Sequence, residues 1–243
     1  SAKAKAAQRS LPALQDITPQ LATLVAEAPS DDGWLYETKY DGYRILARVQ
    51  NGQVALATRN GNDFTARAPK VAQALATLAP DGLVLDGELV SPPRKKSGGS
   101  HTAGDFQALQ NALREGRSGQ LVYYVFDCLF IAGEDVRPLP LAQRKQLLAR
   151  LLPREGSSVR RSRHLRGAGT ALLGRACELG FEGIIAKRAA APYRAGRGKD
   201  WLKLKCSGRE EFVIVGFTAP GGARAHLGAL LLATRERAGA ALS

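Results

Sequence analysis

The chain has 243 residues, 44% of them hydrophobic, and a formal net charge of +13 from 35 lysines and arginines against 22 acidic residues. This balance excludes a disordered chain, and the length allows one large domain or two small ones. No apolar run approaches the roughly 20 residues that cross a bilayer, so we expect no membrane segment. Residues 1–10 are rich in Ala and Lys and lack the apolar stretch of a signal peptide, so they are interpreted as a tail or linker.

The positive charge is concentrated in one part of the chain. Residues 137–209 carry 18 Lys or Arg against four acidic residues, a net charge of +14, which leaves −1 for the remainder. Such an asymmetry indicates a site for a polyanion rather than a general contribution to solubility. Nucleic acid and nucleotide phosphates are the leading ligands. An anionic membrane surface is a weaker one, because no basic amphipathic helix stands out.

The three cysteines, Cys128, Cys177 and Cys206, are widely spaced. An odd number without a close pair predicts neither a disulfide framework nor a zinc site, and it is typical of a reducing cytoplasm. We expect all three to be small, buried, apolar residues.

The first predicted element is a β-hairpin. Alternating runs at 45–50 and 53–58 flank Asn51-Gly52, and both central positions of such a two-residue turn need a positive φ. Helical spacing then predicts a helix over 66–78.

Further elements follow in a mixed order. A polar, Gly-rich loop at 92–100 precedes a helix that Asp105 caps and that runs through Leu113. Strands are predicted at 83–90, 121–131, 183–187, 201–206 and 212–217, helices at 140–152 and 171–179, and a basic loop at 192–199. Because hairpins alternate with helices, we predict an α+β fold of largely antiparallel sheets with flanking helices.

The densest group of reactive residues is Glu37–Arg44, with the sequence ETKYDGYR. Lys39 in a tight turn is a candidate nucleophile once nearby cations or a metal favour its neutral amine, since a lysine ordinarily has a pKa of about 10.4. Gly42 lets the backbone approach a ligand, and Arg44 can hold a phosphate or a sugar. Taken alone the motif is short, and an exposed turn with a Lys/Asp pair is then the favoured alternative.

Five further motifs follow Lys39 along the chain. They are Thr58–Gly61 (TRNG), Asp86–Glu88 (DGE), Phe126-Asp127 (FD), Glu182–Lys187 (EGIIAK) and Trp201–Lys205 (WLKLK). The ordered series closely resembles the covalent nucleotidyltransferase superfamily of ATP-dependent DNA ligases, RNA ligases and mRNA capping enzymes, over residues 30–217. The amino-acid sequence is most similar to the ligase domain of the bacterial end-joining ligases called ligase D. This similarity is carried by segments such as GDFQALQNAL and VFDCLFIAGEDVRPLPLAQRKQLL.

The resemblance implies a nucleotidyltransferase (ATP-grasp-like) fold over residues 11–206, followed by an OB-fold. Residues 207–243 are then the first strands of a truncated OB-fold, because so short a segment cannot form an independent core. In this family the C-terminal basic motif of the OB-fold helps to orient the pyrophosphate. Since that motif is absent here, we expect weak self-adenylylation and better activity on pre-adenylylated nicks.

The resemblance also implies roles for individual residues. Lys39 attacks the α-phosphate of ATP and forms a lysine–AMP phosphoramidate, while Glu37 lies beside the adenine or else is an exposed partner of an Arg or Lys. Glu88 and Glu182 hold Mg²⁺ or Mn²⁺, in keeping with the oxygen ligands that Mg²⁺ prefers. The residues implied to bind ATP or AMP also include Arg44, Arg59, Glu88, Phe126, Lys187, Lys203 and Lys205.

Several of these residues have a purely structural alternative. Arg44 and Arg59 could form surface ion pairs, which are worth little. Phe126 lies in an apolar strand, where a phenylalanine is usually part of the core. Lys203 and Lys205 point to the same face of their strand, which is also the pattern of a solvated edge strand.

A last group of residues is assigned to DNA without a motif. The basic run at 160–166 is a candidate phosphate-backbone patch, and a solvated surface is an equal alternative. The candidate DNA contacts are Asp41, Arg161, Arg163, Arg166, Arg194 and Arg197. Asp41 has two further interpretations, which are orienting Lys39 and approaching a metal.

We therefore predict the catalytic domain of an ATP-dependent DNA ligase that seals nicked or broken duplex DNA in double-strand break repair. The alternatives are an RNA ligase or capping-type nucleotidyltransferase, and a non-catalytic DNA-binding module. The latter explains the basic segment but not Lys39 or the acids of the apolar strands. The resemblance further implies Ku and fused or associated polymerase and phosphoesterase domains as partners, a monomer, and a bacterial cytoplasm near the nucleoid.

Overall fold

A computed structural model describes residues 11–78, 80–92, 106–152, 158–206, 213–219 and 228–233. The chain forms two compact units, residues 1–206 and residues 207–243. The predicted Asp105 cap, the tail at 1–10 and most of the loop at 92–100 lie outside the described residues.

The first unit combines strands with four helices in its described part. The strands are β1 (Gln20–Leu24), β2 (Trp34–Thr38), β3 (Tyr43–Gln50), β4 (Gln53–Thr58), β5 (Leu83–Val90), β6 (Val122–Ile131), β7 (Glu134–Asp135), β8 (Val159–Arg161), β9 (His164–Leu165), β10 (Gly183–Arg188) and β11 (Gly196–Lys205). The helices are α1 (Pro69–Leu78), α2 (Phe106–Arg114), α3 (Leu141–Leu151) and α4 (Gly169–Glu178). The predicted strands at 83–90, 121–131 and 183–187 and the predicted helices at 140–152 and 171–179 are thus confirmed within a few residues.

Six strands form one sheet, in the order β4-β3-β5-β6-β7 with β8 added to β6. The predicted hairpin is confirmed, because β3 and β4 pair antiparallel around Asn51 (φ 53°) and Gly52 (φ 70°). Apolar residues of this sheet pack on α1, α2 and α3 through Leu75, Leu109 and Leu148. Helix α1 begins three residues later than predicted, since residues 65–67 form a 3-10 turn.

Five strands form the second sheet, in the order β1-β11-β10-β2-β9. The predicted loop at 192–199 is wrong in its second half, because β11 begins at Gly196 and pairs in parallel with β1. Because β1 and β11 are so distant in sequence, no local pattern predicts that they pair. The predicted α+β fold with largely antiparallel sheets is confirmed, since β1–β11 and β6–β8 are the parallel pairs among the described strands.

A buried ion pair fastens α3 to β6. The Arg144 guanidinium donates to both carboxylate oxygens of Asp127, at 2.7 and 2.8 Å, and both side chains are fully buried. Arg144 also donates to the carbonyls of Leu139 and Ala191. Burying a charge is costly unless its hydrogen bonds are complete, and here they are.

The cysteine prediction is wrong for two of the three residues. Cys177 near the end of α4 and Cys206 just after β11 form a disulfide, with 5.4 Å between their Cα atoms. Twenty-nine residues separate them in sequence. They meet because the chain returns along β11 and the Cys206 N–H donates to the carbonyl of Glu182. Cys128 is buried and free, as predicted.

The second unit is described over 213–219 and 228–233. Strands β12 (Val213–Phe217) and β13 (Leu230–Ala233) pair antiparallel, which confirms the predicted strand at 212–217. The OB-fold stays a prediction. Among the described residues of both units, no helix is long and apolar enough to cross a membrane.

Asp127→Asn is expected to lower the free energy of unfolding by about 3–5 kcal/mol, because it leaves the Arg144 guanidinium buried without its carboxylate. Urea unfolding followed by circular dichroism at pH 7 measures the loss. Asp135→Asn is the matched control, since the Asp135–Arg137 pair is more than one-third exposed and should contribute less than about 1 kcal/mol. Equal losses in the two variants would contradict the structural role of the buried pair.

Candidate active site

A cavity of about 250 Å³ is lined by residues from both sheets of the first unit. Strand β1 contributes Leu21 and Ala22 to its wall, and β11 contributes Trp201. The sequence-predicted residues that line it are Glu37, Lys39, Arg44, Arg59, Glu88, Phe126, Lys187 and Lys203. The fold therefore gathers eight candidates, from segments that span most of the first unit, around one space.

Lys39 follows the last residue of β2, and its backbone N–H donates to the Gly183 carbonyl at 3.0 Å. Its ammonium donates a hydrogen bond to the Glu182 carboxylate, whose other oxygen lies 3.2 Å from Lys205 Nζ. Burial opposes ionisation of Glu182, but the hydrogen bond and charge of Lys39 prevail and hold the pKa of the Glu182 carboxyl below its usual range. The candidate nucleophile is therefore held in an ion pair at the cavity wall.

The turn after Lys39 depends on a glycine. A Cβ on Gly42 would lie 2.1 Å from the carbonyl oxygen of Leu89 in β5. Only glycine allows this close approach, and the approach keeps the Lys39 turn beside the strand that carries Glu88.

Glu37 is buried, so its alternative as an exposed ion-pair partner is wrong. Its Oε1 lies 2.6 Å from Lys145 Nζ and 3.1 Å from Lys187 Nζ, and its Oε2 accepts a 2.8 Å hydrogen bond from the Ser162 hydroxyl. Burial opposes ionisation, yet the two lysines lower the pKa of the Glu37 carboxyl below its ordinary value. Glu37 is therefore a buried carboxylate at the cavity wall, whose Oε1 forms two ion pairs without hydrogen-bond geometry and whose Oε2 is hydrogen-bonded.

Lys187 reaches the cavity between two aromatic rings. Its Nζ lies 4.1 Å from the ring centre of Phe126 and 4.0 Å from that of Trp201. Burial lowers the pKa of Lys187 to about 8, although Glu37 acts in the opposite direction. Phe126 is itself 7% exposed and packs in a core cluster, so it combines a position in the core with a position on the cavity wall.

Arg44 is oriented by a buried carboxylate. Its guanidinium donates to both oxygens of Asp86, at 2.5 and 2.6 Å, and Asp86 also accepts a 2.7 Å hydrogen bond from the Tyr193 hydroxyl. Asp86 is fully buried, so its charge is stable only because both partners are present. Arg44 is thereby held with its guanidinium 4.6 Å from the centre of the Phe126 ring.

Glu88 is a half-buried carboxylate that no ion pair within 4 Å joins to any described residue. Burial raises the pKa of its carboxyl to about 7, and the neighbouring Asp86 carboxylate adds to the shift. A carboxylate in this condition favours a bound cation. In the described part of the chain no three or more His, Cys, Asp or Glu side chains form a metal-binding group. Carboxylates such as Glu88 and Glu182 are the ligand type with which Mg²⁺ is often held together with substrate phosphates, and their role as metal ligands stays a prediction.

The remaining candidates lie outside this cavity. The side chain of Lys205 is 52% exposed and approaches Glu182 rather than the cavity. Arg161, Arg163 and Arg166 line a second cleft of about 300 Å³ together with Lys145.

The two arginines of the predicted basic loop make local contacts. Arg194 pairs with Asp200 at 2.5 Å, and Arg197 donates to the Ala22 carbonyl. Asp41 is half-buried in the turn after Lys39.

Three residues of the site were missed in the sequence. Arg144 and Lys145 occupy the buried stripe of α3 with Leu141 and Leu148, so helical spacing contained a signal for two buried cations. Ser162 lies in a run of arginines and carries no such signal. Its position opposite Glu37 results from tertiary packing alone.

The arrangement of cations and carboxylates around one cavity, with a lysine at its wall, is suited to phosphoryl chemistry on a nucleotide. Residues 12–205 match the family model described as the ATP dependent DNA ligase domain. The chain belongs to this family. The match does not favour a capping-type enzyme, an RNA ligase or a non-catalytic module.

Curated relatives extend the match. The chain is 46% identical over 217 residues to the multifunctional non-homologous end joining protein LigD of Pseudomonas aeruginosa, covering 89% of this chain and 25% of the relative. It is 32% identical over 204 residues to the SPbeta prophage-derived DNA ligase-like protein LigB of Bacillus subtilis, covering 83% of this chain and 72% of the relative. The chain thus spans about a quarter of the length of the LigD relative.

Solved structures agree with the fold. A mycobacterial DNA ligase D complexed with ATP and MES superposes with a TM-score of 0.70 at 31% identity, over 90% of this chain and 68% of that one. The ligase domain of Mycobacterium tuberculosis LigD gives a TM-score of 0.67 at 30% identity, over 95% of this chain and 72% of that one.

Glu88→Gln is expected to stabilise the protein by about 2 kcal/mol more at pH 8 than at pH 5. The pKa of Glu88 is about 7 in the folded state, above its ordinary value of 4.5. The stability that its protonated form provides is therefore complete only below the ordinary value, and it is lost as the pH rises through 7. Glutamine carries no charge at either pH.

Urea unfolding at the two pH values, without divalent cations, measures this difference. Glu27→Gln serves as a control, because Glu27 is exposed and does not line the cavity. The raised pKa is contradicted if the gain from Glu88→Gln is the same at both pH values.

Proposed function

We propose that this chain transfers AMP from ATP to DNA through a covalent lysine–AMP intermediate on Lys39. The observation that carries this proposal is the position of Lys39, which shares its cavity with Arg44, Arg59, Lys187 and Lys203. Four cations around one lysine provide the charge that a triphosphate needs.

In the first step the neutral Lys39 amine attacks the α-phosphorus of ATP. A P–N bond forms and the P–O bond to pyrophosphate breaks. The proton that the attacking nitrogen carries after the P–N bond forms passes to solvent, and Glu182, hydrogen-bonded to the Lys39 side chain, orients it. The adenine lies beside the β2 segment at Glu37, and Arg44, Arg59, Lys187 and Lys203 hold the ribose and the phosphates. Lys205 supports the site through Glu182.

Glu88 and Glu182 would hold a Mg²⁺ or Mn²⁺ ion, which when bound neutralises charge on the phosphates. Glu88 needs such a partner because its carboxyl is otherwise protonated up to about pH 7. Binding the ion would release that proton and leave the carboxylate charged.

In the later steps AMP passes to the 5′-phosphate of nicked or broken duplex DNA, and the 3′-hydroxyl displaces it. The charge of +14 on residues 137–209 supports a polyanionic substrate. Arg161, Arg163 and Arg166, in the second cleft, are proposed to contact the DNA backbone. Exposed Arg194 and Arg197 and the half-buried Asp41 are further candidates.

The similarity to LigD supports a role in end joining. We extend the proposal to Ku and to linked polymerase and phosphoesterase domains as partners, to a monomeric ligase unit, and to the bacterial cytoplasm at the nucleoid.

Lys39→Ala is expected to abolish labelling of the protein by ATP carrying an α-phosphate label, because no other amine replaces the nucleophile. Peptide mass spectrometry should place AMP on the Lys39 peptide of the unmodified chain. Lys70→Ala, at an exposed lysine of α1, should label normally. Label that persists on Lys39→Ala, or labelling by GTP alone, would refute the proposal.

Phe126→Leu separates the two interpretations of that residue. If the ring stacks on the purine, the variant should weaken binding of an ATP analogue roughly 5- to 150-fold, from a stacking contribution of about 1–3 kcal/mol. Isothermal titration calorimetry measures the affinity and urea unfolding measures the stability. A variant that loses stability and keeps its affinity would identify Phe126 as a core residue only.

A further inference from the structure

Lys145 is a buried lysine that does not line the nucleotide cavity. It lies on α3, its side chain is 3% exposed, and its Nζ is 2.6 Å from Glu37 Oε1. It belongs instead to the wall of the second cleft. The charged form of a lysine so buried is costly in free energy unless an ion-pair partner offsets the loss of hydration.

Charge is unbalanced around Glu37. One carboxylate faces two ammonium groups, and both approach the same oxygen, Lys145 at 2.6 Å and Lys187 at 3.1 Å. A single negative charge cannot neutralise both cations. The shorter distance assigns it mainly to Lys145, so Lys187 keeps positive charge that is not compensated.

Lys187 presents that charge to the cavity. Its ammonium lies over the rings of Phe126 and Trp201, which line the same space. The other charged groups nearby are already partnered, since Asp127 is bound by Arg144 and Arg44 is bound by Asp86.

We propose that Lys145 is a positioning residue, which occupies Glu37 from outside the cavity and so leaves the Lys187 ammonium available to a phosphate of the bound nucleotide. The inference rests on the proposed function, because it assumes that the cavity receives ATP. Lys145 itself touches no substrate.

Removing Lys145 changes Lys187 in a definite direction. The burial of Lys187 and the like charge of Lys145 both lower the pKa of Lys187, whereas Glu37 and Asp127 raise it. In Lys145→Met, Glu37 interacts with Lys187 without competition from Lys145. The electrostatic repulsion between the two ammonium groups is also removed. The pKa of Lys187 then rises, and Glu37 competes with phosphate for the ammonium.

Nucleotide affinity as a function of pH tests the proposal. Binding of α,β-methylene ATP, which cannot be transferred to Lys39, is measured by calorimetry from pH 7 to 10 at constant Mg²⁺. In the unmodified chain the affinity should fall around pH 8, as Lys187 loses its proton. Lys145→Met should raise Kd about tenfold at pH 7.5 and move this fall upward by about one pH unit.

Three further variants distinguish positioning from folding. The midpoint is the pH at which half of the affinity change has occurred. Lys145→Arg restores a cation and should keep the midpoint of the unmodified chain. Glu37→Gln removes the charge that raises the pKa of Lys187 and should move the midpoint downward, so it tests the coupling even if Lys145→Met does not fold. Arg150→Met removes an exposed cation from the same helix and should change neither Kd nor midpoint.

The proposal is overturned if Lys145→Met folds, as judged by circular dichroism, and leaves the midpoint where it was. A shift in the same direction for Lys145→Met and Glu37→Gln would overturn it as well. Failure of the proposed function is a separate result. It would appear as absence of AMP on Lys39 in the unmodified chain, whether or not the midpoints of analogue binding move.

Discussion

The buried Glu37 carboxylate is the constraint on which the cavity beside Lys39 depends. It lies on β2 and is bound by Lys145 from α3, by Lys187 from β10 and by Ser162 after β8. Lys187 belongs to the five-stranded sheet, Lys145 to the helix that packs on β6, and Ser162 to the segment between β8 and β9. A carboxylate without water is stable only when its partners are in place. The ion pairs of Glu37 thus join the five-stranded sheet to the helix on the six-stranded sheet, and Lys39 follows Glu37 by two residues.

The charged residues of the site fall into two groups, those whose charge is fully bound by protein partners and those whose charge is not. Asp127 and Asp86 are fully buried, and each is bound by an arginine with two hydrogen bonds, so they contribute geometry. Glu88 and Lys187 keep charge or proton affinity that the protein does not satisfy, and burial shifts the pKa of each towards its neutral form. Because only unsatisfied groups gain from a ligand, the reactive part of the cavity is the part that the fold leaves incomplete.

Local patterns predicted the hairpin around Asn51 and strands β5 and β6 of the six-stranded sheet, because alternation and turn chemistry act over a few residues. The short strands β7 and β8 were not predicted. The order of short motifs identified the cavity residues through family resemblance. Neither local patterns nor family resemblance predicted the contacts between distant segments. The β1–β11 pair, the Cys177–Cys206 disulfide and the contact of Ser162 with Glu37 join residues far apart in sequence, and nothing near each residue specifies its partner.

The parallel pairing of β1 with β11 has a consequence for how the protein is made. Gln20 lies opposite Gly196, and the amide of Lys39 is bound by the Gly183 carbonyl. The partners of β1 and of the Lys39 segment are therefore synthesised more than 140 residues after those segments. The hairpin of β3 and β4 can form early, since its contacts are local. Lys39 lies near the start of the first unit, yet it acquires its surroundings only when the last strands of that unit have been translated.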